Sequence, residues 1–435
     1  MKKLIILFVV VFSTITYGQD RLEKIDDLLL YLNQHNKFMG SVTIREGENV
    51  VFNKAYGFAD VEKGIMADRL TRYKIGSISK TFTAVIIMQL IEERKLGLQT
   101  KLARFYPKIP NAEKISIEDL LHHRTGIVDY INQDTITHNN LYREHSKEEM
   151  IQKITAYQPL FEPGTKFEYS NSNYNLLGYI IETLTKKSYA ENIQSRIVKK
   201  ANLANTYYPK GKINSDNGES YSYSNNGSAW EQTAEWDNSI AYSAGALIST
   251  PADLTRFMHA LFQGKLVNKK SLELMKQLKD GFGKGLVQFP FGERRFFGHT
   301  GGIENFRAVV GYYPTEKLGV SLIVNGDNFN SNDIMIGILS IYYKIPFPFP
   351  VFTKLDAAEL QRFFGTYTSK DIPLKITISE KNGELIAQAT GQSPFPLTFK
   401  EENTFVFPAG GIEIEFNTNT LQLKQSGQKF EFTKE

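Results

Sequence analysis

The sequence predicts an α/β protein, an antiparallel sheet flanked by helices with a helical region, followed by a small C-terminal all-β domain. Three observations predict it. Apolar runs with a period of two stand at both ends of the first 345 residues: Ser41–Arg45 and Val50–Ala55 early, then Phe296–His299, Asn305–Tyr312 and Gly319–Asn325 late. Between them, from about Ser116 to Leu203, the apolar spacing is helical. After Pro346, Pro348 and Pro350, which alternate with aromatics, the chain from Leu355 to Glu435 is almost entirely strand-like.

The elements follow in order. Lys2 and Lys3 precede the apolar run Leu4–Ile15, which is too short to span a bilayer. Thr16 and Gly18 are small residues before Gln19, so residues 1–18 read as a cleavable signal peptide and the protein as periplasmic or secreted, with no stable membrane anchor. Arg21–Asn36 is a helix with Leu22, Ile25, Leu29 and Leu32 on one face, and 46–49 is the turn of the hairpin that follows. Ser77–Leu96 is apolar nearly all round, so it reads as a buried helix, with Gly97 just past its end. Gly211–Glu235 is a polar loop, and Pro251 opens a helix over Ala252–Phe262. The domains are therefore residues 19–345, a Pro-rich linker at 346–354, and a barrel or sandwich at 355–435. In the last, Lys381-Asn382-Gly383 is a hairpin turn and Leu374–Ile378, Glu384–Ala389, Thr404–Phe407, Ile412–Phe416 and Leu421–Leu423 are strands.

Composition excludes several chemistries. The chain has no cysteine, so there is no thiol nucleophile, no disulfide framework and no Cys-ligated zinc or iron–sulfur site. Its 51 basic and 47 acidic residues leave a net charge of +4 without a basic stretch, which argues against nucleic acid as a partner. No motif calls for a cofactor or a metal.

Three short segments carry the candidate chemistry. In Ser77-Ile78-Ser79-Lys80, Ser77 and Lys80 are three apart at a helix start and share a face, the arrangement that gives a serine nucleophile a nearby base. The competing reading is an N-cap serine with Lys80 in solvent, and a second Ser-x-x-Lys, Ser426–Lys429, shows how weak the spacing is alone. In Tyr169-Ser170-Asn171 a phenol can relay a proton and an amide can orient a carbonyl. Tyr31, Tyr130 and Tyr223 begin similar tripeptides. The turn at Glu162–Thr165 and the helical pattern Tyr174–Thr185 favour Tyr169, and Tyr223 reads as a surface residue of the polar loop. In His299-Thr300-Gly301-Gly302, small residues at a strand end admit a substrate backbone, and His299 offers a positive or hydrogen-bonding group. The other six histidines, His35, His122, His123, His138, His145 and His259, read as surface or core residues.

These segments, in this order, resemble the motifs of the serine β-lactamase and penicillin-binding-protein superfamily, closest to its class C β-lactamase and DD-carboxypeptidase branch. Gly40–Gly57, Asp119–Gly126 and Ser243–Thr250 resemble further stretches of that family, and the likeness covers roughly Gly40–Asn325. The resemblance implies the β-lactamase/transpeptidase-like fold and an acyl-enzyme at Ser77, with Lys80 and Tyr169 sharing the proton transfers. It implies an oxyanion hole from the backbone N–H groups of Ser77 and Gly302, worth ~3 kcal/mol per donor when lost. It also implies substrate contacts at Asn171, His299, Thr300, Gly301 and Gly302. His299 departs from the lysine usual in class C enzymes and is similar to the carboxypeptidase and esterase-like relatives. The expected activity is that of an exported serine hydrolase on a small-molecule, peptide, amide or ester substrate, with a cell-wall peptide among the candidates. The alternative is a penicillin-binding-like or cell-wall-sensing protein without turnover. If His299 is cationic toward a substrate carboxylate, affinity falls as pH rises through about 6.5.

Two decoys are set aside. Ala241–Gly245 imitates a lipase elbow around Ser243 but lacks the preceding strand, and Gly281–Gly285 lacks the context of a phosphate loop. Arg124 stands where the family has Thr or Ser, with a local structural effect expected. Tyr221, Tyr223, Trp230 and Trp236 either line the site or anchor their loop.

Overall fold

The structure is a computed structural model, and it describes residues 13–132, 140–227, 229–352, 355–381, 383–407, 410–425 and 427–435. Most of the expected leader lies outside these residues, as do His138, Asn382 and Ser426. The chain divides into two compact units, Met1–Ile345 and Pro346–Glu435.

In the first unit helix α1 (Ser13–Gln34) leads into the hairpin of β1 (Phe38–Glu46) and β2 (Asn49–Tyr56), and then into α2 (Ser79–Glu92). The longest helix of the middle region is α3 (Asn171–Thr185), and shorter helical turns follow it as far as Ala201. The loop after it is partly ordered as a small hairpin, β3 (Tyr223–Asn225) and β4 (Trp230–Gln232). Helices α4 (Asn238–Gly245) and α5 (Pro251–Phe262) precede the late strands. These are β5 (Val287–Phe291), β6 (Arg294–Ile303), β7 (Phe306–Tyr313) and β8 (Leu318–Asp327), before helix α6 (Ser331–Tyr342). The early hairpin joins the late strands, giving the antiparallel order β2-β1-β8-β7-β6-β5. Tyr312 and Val310 face the core around α2 and α5, while Val309 and Gly311, alternate residues of the same strand, face α6.

The structure changes three expectations. The helix begun at Ser77 starts as a 3-10 turn at Gly76–Ile78 and stops at Glu92, short of Leu96. Arg94, at φ +58°, takes the left-handed position expected near Gly97, and Lys95 N–H closes onto Leu90 O at 3.0 Å. Tyr223 is buried at 1% exposure rather than on the surface. The reason is that β3 joins the sheet beside β8 at Gly326, and the Tyr223 hydroxyl accepts the Val61 N–H at 2.9 Å. Third, the His299 segment is not a strand end: β6 continues through it to Ile303.

The second unit is a closed barrel. Its strands are β9 (Gly365–Thr368), β10 (Lys375–Lys381), β11 (Glu384–Ala389), β12 (Phe395–Glu401), β13 (Thr404–Phe407), β14 (Ile412–Phe416), β15 (Thr420–Gln425) and β16 (Gln428–Lys434). Each pairs with the next, and β16 returns to β9 through Tyr367–Lys434 and Thr368–Thr433. Ile376, Ile378, Leu385, Ile414, Leu421 and Phe432 alternate inward to fill it.

Candidate active site

The two halves of the first unit meet at Ser77. Gly76 has φ +52°, a conformation that favours glycine, and its backbone lies so close to β6 that a Cβ there would stand 2.7 Å from Gly302 N. Across the same contact, a Cβ on Gly301 would lie 2.0 Å from Ile75 O and 3.2 Å from Ser77 N. Two glycines thus let the Ser77 turn and the Gly301-Gly302 backbone lie side by side, bringing the two N–H groups expected of an oxyanion hole to one place. Ser77 is half-buried while its neighbours Gly76 and Ile78 are buried.

Lys80 is fully buried, one helical turn beyond. Its Nζ is 3.0 Å from Ser77 Oγ, 2.7 Å from Asn171 Oδ1 and 2.9 Å from Ala244 O. The last two can only accept, so they take two hydrogens and leave the third position of the nitrogen facing the serine. Burial pulls the Lys80 pKa down to about 7, against the opposing pull of the Asp129 carboxylate. In its neutral form that third position is a lone pair, which makes Lys80 a base for the Ser77 hydroxyl. Tyr169 Oη donates to Ser77 Oγ at 2.8 Å, and burial raises its pKa far above the ordinary value, so the phenol keeps its proton. The geometry therefore separates the roles: Lys80 takes a proton and Tyr169 gives one.

A second group of residues holds these. Asn171 opens α3, and its Nδ2 donates to Asp129 Oδ2 at 2.8 Å, which turns the amide oxygen toward Lys80. His123 stacks on Tyr169 with centroids 4.3 Å apart, and its Nδ1 accepts the Ser170 N–H at 3.1 Å. Burial keeps His123 neutral. Tyr242, at φ +38° and ψ −125°, breaks the helical path of α4 just before Ser243 and Ala244. Their carbonyls then accept from Thr83 at 2.7 Å and from Lys80. Asp129, His123 and Ala244 were not visible in the sequence as site residues.

Of the two roles expected of His299, positive or hydrogen-bonding, its surroundings favour the second. It is 3% exposed, and burial brings its pKa down to about 4, so it is not cationic at neutral pH. Its Nδ1 lies 2.6 Å from Thr300 O, which can only accept, so Nδ1 carries the hydrogen and Nε2 remains an acceptor. We expect KM to stay flat between pH 5 and 8; a loss of affinity centred near pH 6.5 would restore the cationic role. Thr300 and Gly302 are exposed on a free edge, because β5 pairs with β6 only as far as Gly298. They also border an apolar cleft of about 340 Å³ with Phe289, Phe296, Met335 and Ile336.

The remaining expectations find their places. Ser243 is fully buried with its hydroxyl donating to Tyr174 O at 2.9 Å, so it is no nucleophile. Arg124 bonds to Asp280 and to Gly164 O, a local structural role. Trp236 is held by its backbone, its N–H donating to Glu304 at 2.8 Å and its carbonyl accepting from Lys74, which is the anchoring reading of that loop. Among the described residues no group of three or more His, Asp or Glu is placed to hold a metal ion.

Asp129→Asn tests the support of the amide. It removes the negative charge that raises the Lys80 pKa and leaves a single acceptor oxygen where the carboxylate served both the Ile131 N–H and Asn171. The expected result is a kcat lower by up to about 100-fold and a pH–rate inflection moved to lower pH. A loss of rate with the inflection unmoved would reduce Asp129 to a packing role.

The profile of the family described as Beta-lactamase matches residues 31–338. Among curated proteins, Penicillin-binding protein 4* of Bacillus subtilis is 24% identical over 432 residues, covering 92% of this chain and 94% of that protein. Protein flp of Staphylococcus aureus is 28% identical over 326 residues, and the matched part is 70% of this chain but 63% of that longer protein. Among solved structures, the octameric penicillin-binding protein homologue from Pyrococcus abyssi superposes with a TM-score of 0.72 at 23% identity, covering 95% of this chain and 99% of that one. The D-amino acid amidase of Ochrobactrum anthropi SV3, complexed with L-phenylalanine amide, gives a TM-score of 0.66 at 23% identity over 75% of this chain and 99% of that one.

Proposed function

The chain belongs to the beta-lactamase family, and from that premise we propose that it is an exported serine hydrolase that cleaves peptide, amide or ester bonds through an acyl-enzyme at Ser77. The observation that carries this reading is the placement of Ser77 Oγ between Lys80 Nζ at 3.0 Å and Tyr169 Oη at 2.8 Å. Neutral Lys80 takes the Ser77 proton as Oγ attacks the substrate carbonyl. The N–H groups of Ser77 and Gly302 receive the oxygen as it gains charge. Tyr169 gives its proton to the departing amine or alcohol, and Lys80 returns one to Tyr169. A water then attacks the ester, Lys80 again accepting its proton, and that proton passes to the Ser77 oxygen as the acyl group leaves, which restores the hydroxyl and neutral Lys80. The substrate backbone lies along the free edge of β6 beside Thr300, with an apolar group in the neighbouring cleft. Export rests on the leader read at residues 1–18, and a DD-peptidase or esterase specificity on the neutral histidine at 299.

The test is intact-protein mass spectrometry with a panel of β-lactams, D-Ala-D-Ala peptides, D-amino acid amides and short esters. Expected is a mass increase of one acyl group on the Ser77 peptide that decays as product appears. An adduct that persists with no product from any compound favours the non-hydrolytic binding protein. No adduct with any compound overturns the serine mechanism.

A further inference from the structure

A second cavity, of about 560 Å³, lies at the other side of the first unit and shares no residue with the catalytic groups. In the sheet order β2-β1-β8-β7-β6-β5 it lies against β1 and β2, with two strands between it and β6. Arg45, Asn53, Arg69, Asn205, Asp253 and Arg256 are among its walls. Three arginines therefore line one space with a single carboxylate. That carboxylate is already engaged, since Asp253 Oδ2 accepts Asn205 N–H at 2.7 Å and Thr206 Oγ1 at 2.9 Å.

The arginines are not held by the protein as structural ion pairs would be. Arg69 and Arg256 have no hydrogen bond and no ion pair of their own among the described residues. Arg45 is 1% exposed, and its nearest bonds are to neutral groups: Nη1 donates to Glu48 O at 2.8 Å and Nε to Thr255 Oγ1 at 3.4 Å. Burial and then the repulsion of Arg256 bring its pKa below the ordinary value, against the weaker attraction of the Glu48 and Asp253 carboxylates. Asn53 accepts through Oδ1 from Thr43 at 2.9 Å, which leaves its Nδ2 as a donor. The first turn of α5, at Ala252 and Asp253, adds the positive end of a helix dipole. Arg45 is a buried charge, Arg256 is half-buried and Arg69 stands at the mouth, so a ligand of opposite sign would compensate the one that burial costs most.

We propose that this cavity binds a phosphate monoester, its dianion compensating the excess charge of Arg45, Arg69 and Arg256 over Asp253. The planar guanidinium forks match two oxygens of a phosphate at once, and the amide of Asn53 supplies a further donor. The cavity is large enough for the phosphate and a sugar-sized remainder. The phosphate comes either from a soluble ester or from a lipid headgroup.

Isothermal titration calorimetry on the full chain at pH 8, with sodium chloride at matched ionic strength as the blank, tests it. The probes are inorganic phosphate, glucose 6-phosphate, and phosphatidylcholine vesicles containing phosphatidic acid. The protein should bind at least one of them saturably, and the double variant Arg69→Gln/Arg256→Gln should bind it at least about tenfold more weakly. Binding of the soluble esters assigns a free ligand, and binding of the vesicles alone assigns a headgroup. Arg69 is exposed and Arg256 half-buried, and neither makes a hydrogen bond or ion pair among the described residues, so the variant is expected to keep its circular dichroism and its ester turnover at Ser77. The conservative Arg69→Lys/Arg256→Lys should retain part of the affinity. Absence of saturable binding by the unmodified protein to all three probes overturns the proposal, as does equal affinity in the glutamine variant.

Discussion

Ser77→Ala is expected to abolish turnover, lowering kcat by about 10⁴-fold or more, and to abolish labelling by any acylating probe. The loss is large because no other group can take over the covalent step. Ser243 is buried against the Tyr174 carbonyl, and there is no cysteine. The substitution removes a half-buried hydroxyl and leaves Lys80 with its bonds to Asn171 and Ala244, so the fold should persist. Unchanged circular dichroism together with lost labelling is the expected pair of results. An alanine variant that still becomes labelled would show that the acyl group goes elsewhere.

Lys80→Met is expected to lower kcat/KM by about 10³-fold and to remove the pH dependence as well as the rate. In the unaltered protein only neutral Lys80 can accept the Ser77 proton, so kcat/KM should rise as pH climbs through about 7. Methionine fills a similar volume but cannot titrate, so the residual rate should lack that inflection. An inflection that survives near 7 would assign it to another group. Stability follows from the same shift. The folded lysine has its pKa near 7 while the unfolded chain keeps the ordinary 10.5. Between these values the unfolded chain binds more protons, so the stability of the unaltered protein should rise with pH across that window. In Lys80→Met this contribution should be absent.

What could be read from the sequence was whatever the covalent chain keeps local. Ser77 and Lys80 are one helical turn apart, so their spacing alone puts them on one face. Tyr169 could be chosen over Tyr223 because a turn precedes it and a helix follows it. Asp129 left no such trace: it reaches Asn171 across 42 residues and a loop, and an isolated aspartate has no periodicity to betray it. Ala244 acts through its carbonyl, which every residue possesses. The charge state of His299 stayed open in the sequence because residue type gives only the ordinary pKa, whereas burial among strands lowers it. The same gap explains Tyr223. Its neighbours are polar, and only pairing with β8, which is distant in sequence, puts it inside. In the C-terminal unit the alternation gave most strands, but whether they closed as a barrel or packed as a sandwich depended on the meeting of the first with the last.

That meeting is the narrowest part of the second unit, two residue pairs between Tyr367-Thr368 and Thr433-Lys434. It makes the unit's assembly wait on its most distant partners, because every other strand pairs with its sequence neighbour. Hairpins can form early and locally, whereas the ring is sealed only by the slow search that brings the ends together. Until then β9 and β16 each expose an unpaired ladder, and a second unfinished copy offers the complementary one. The hazard to this unit at high concentration is therefore exchange of terminal strands between copies during folding, before the two ends of the barrel have met.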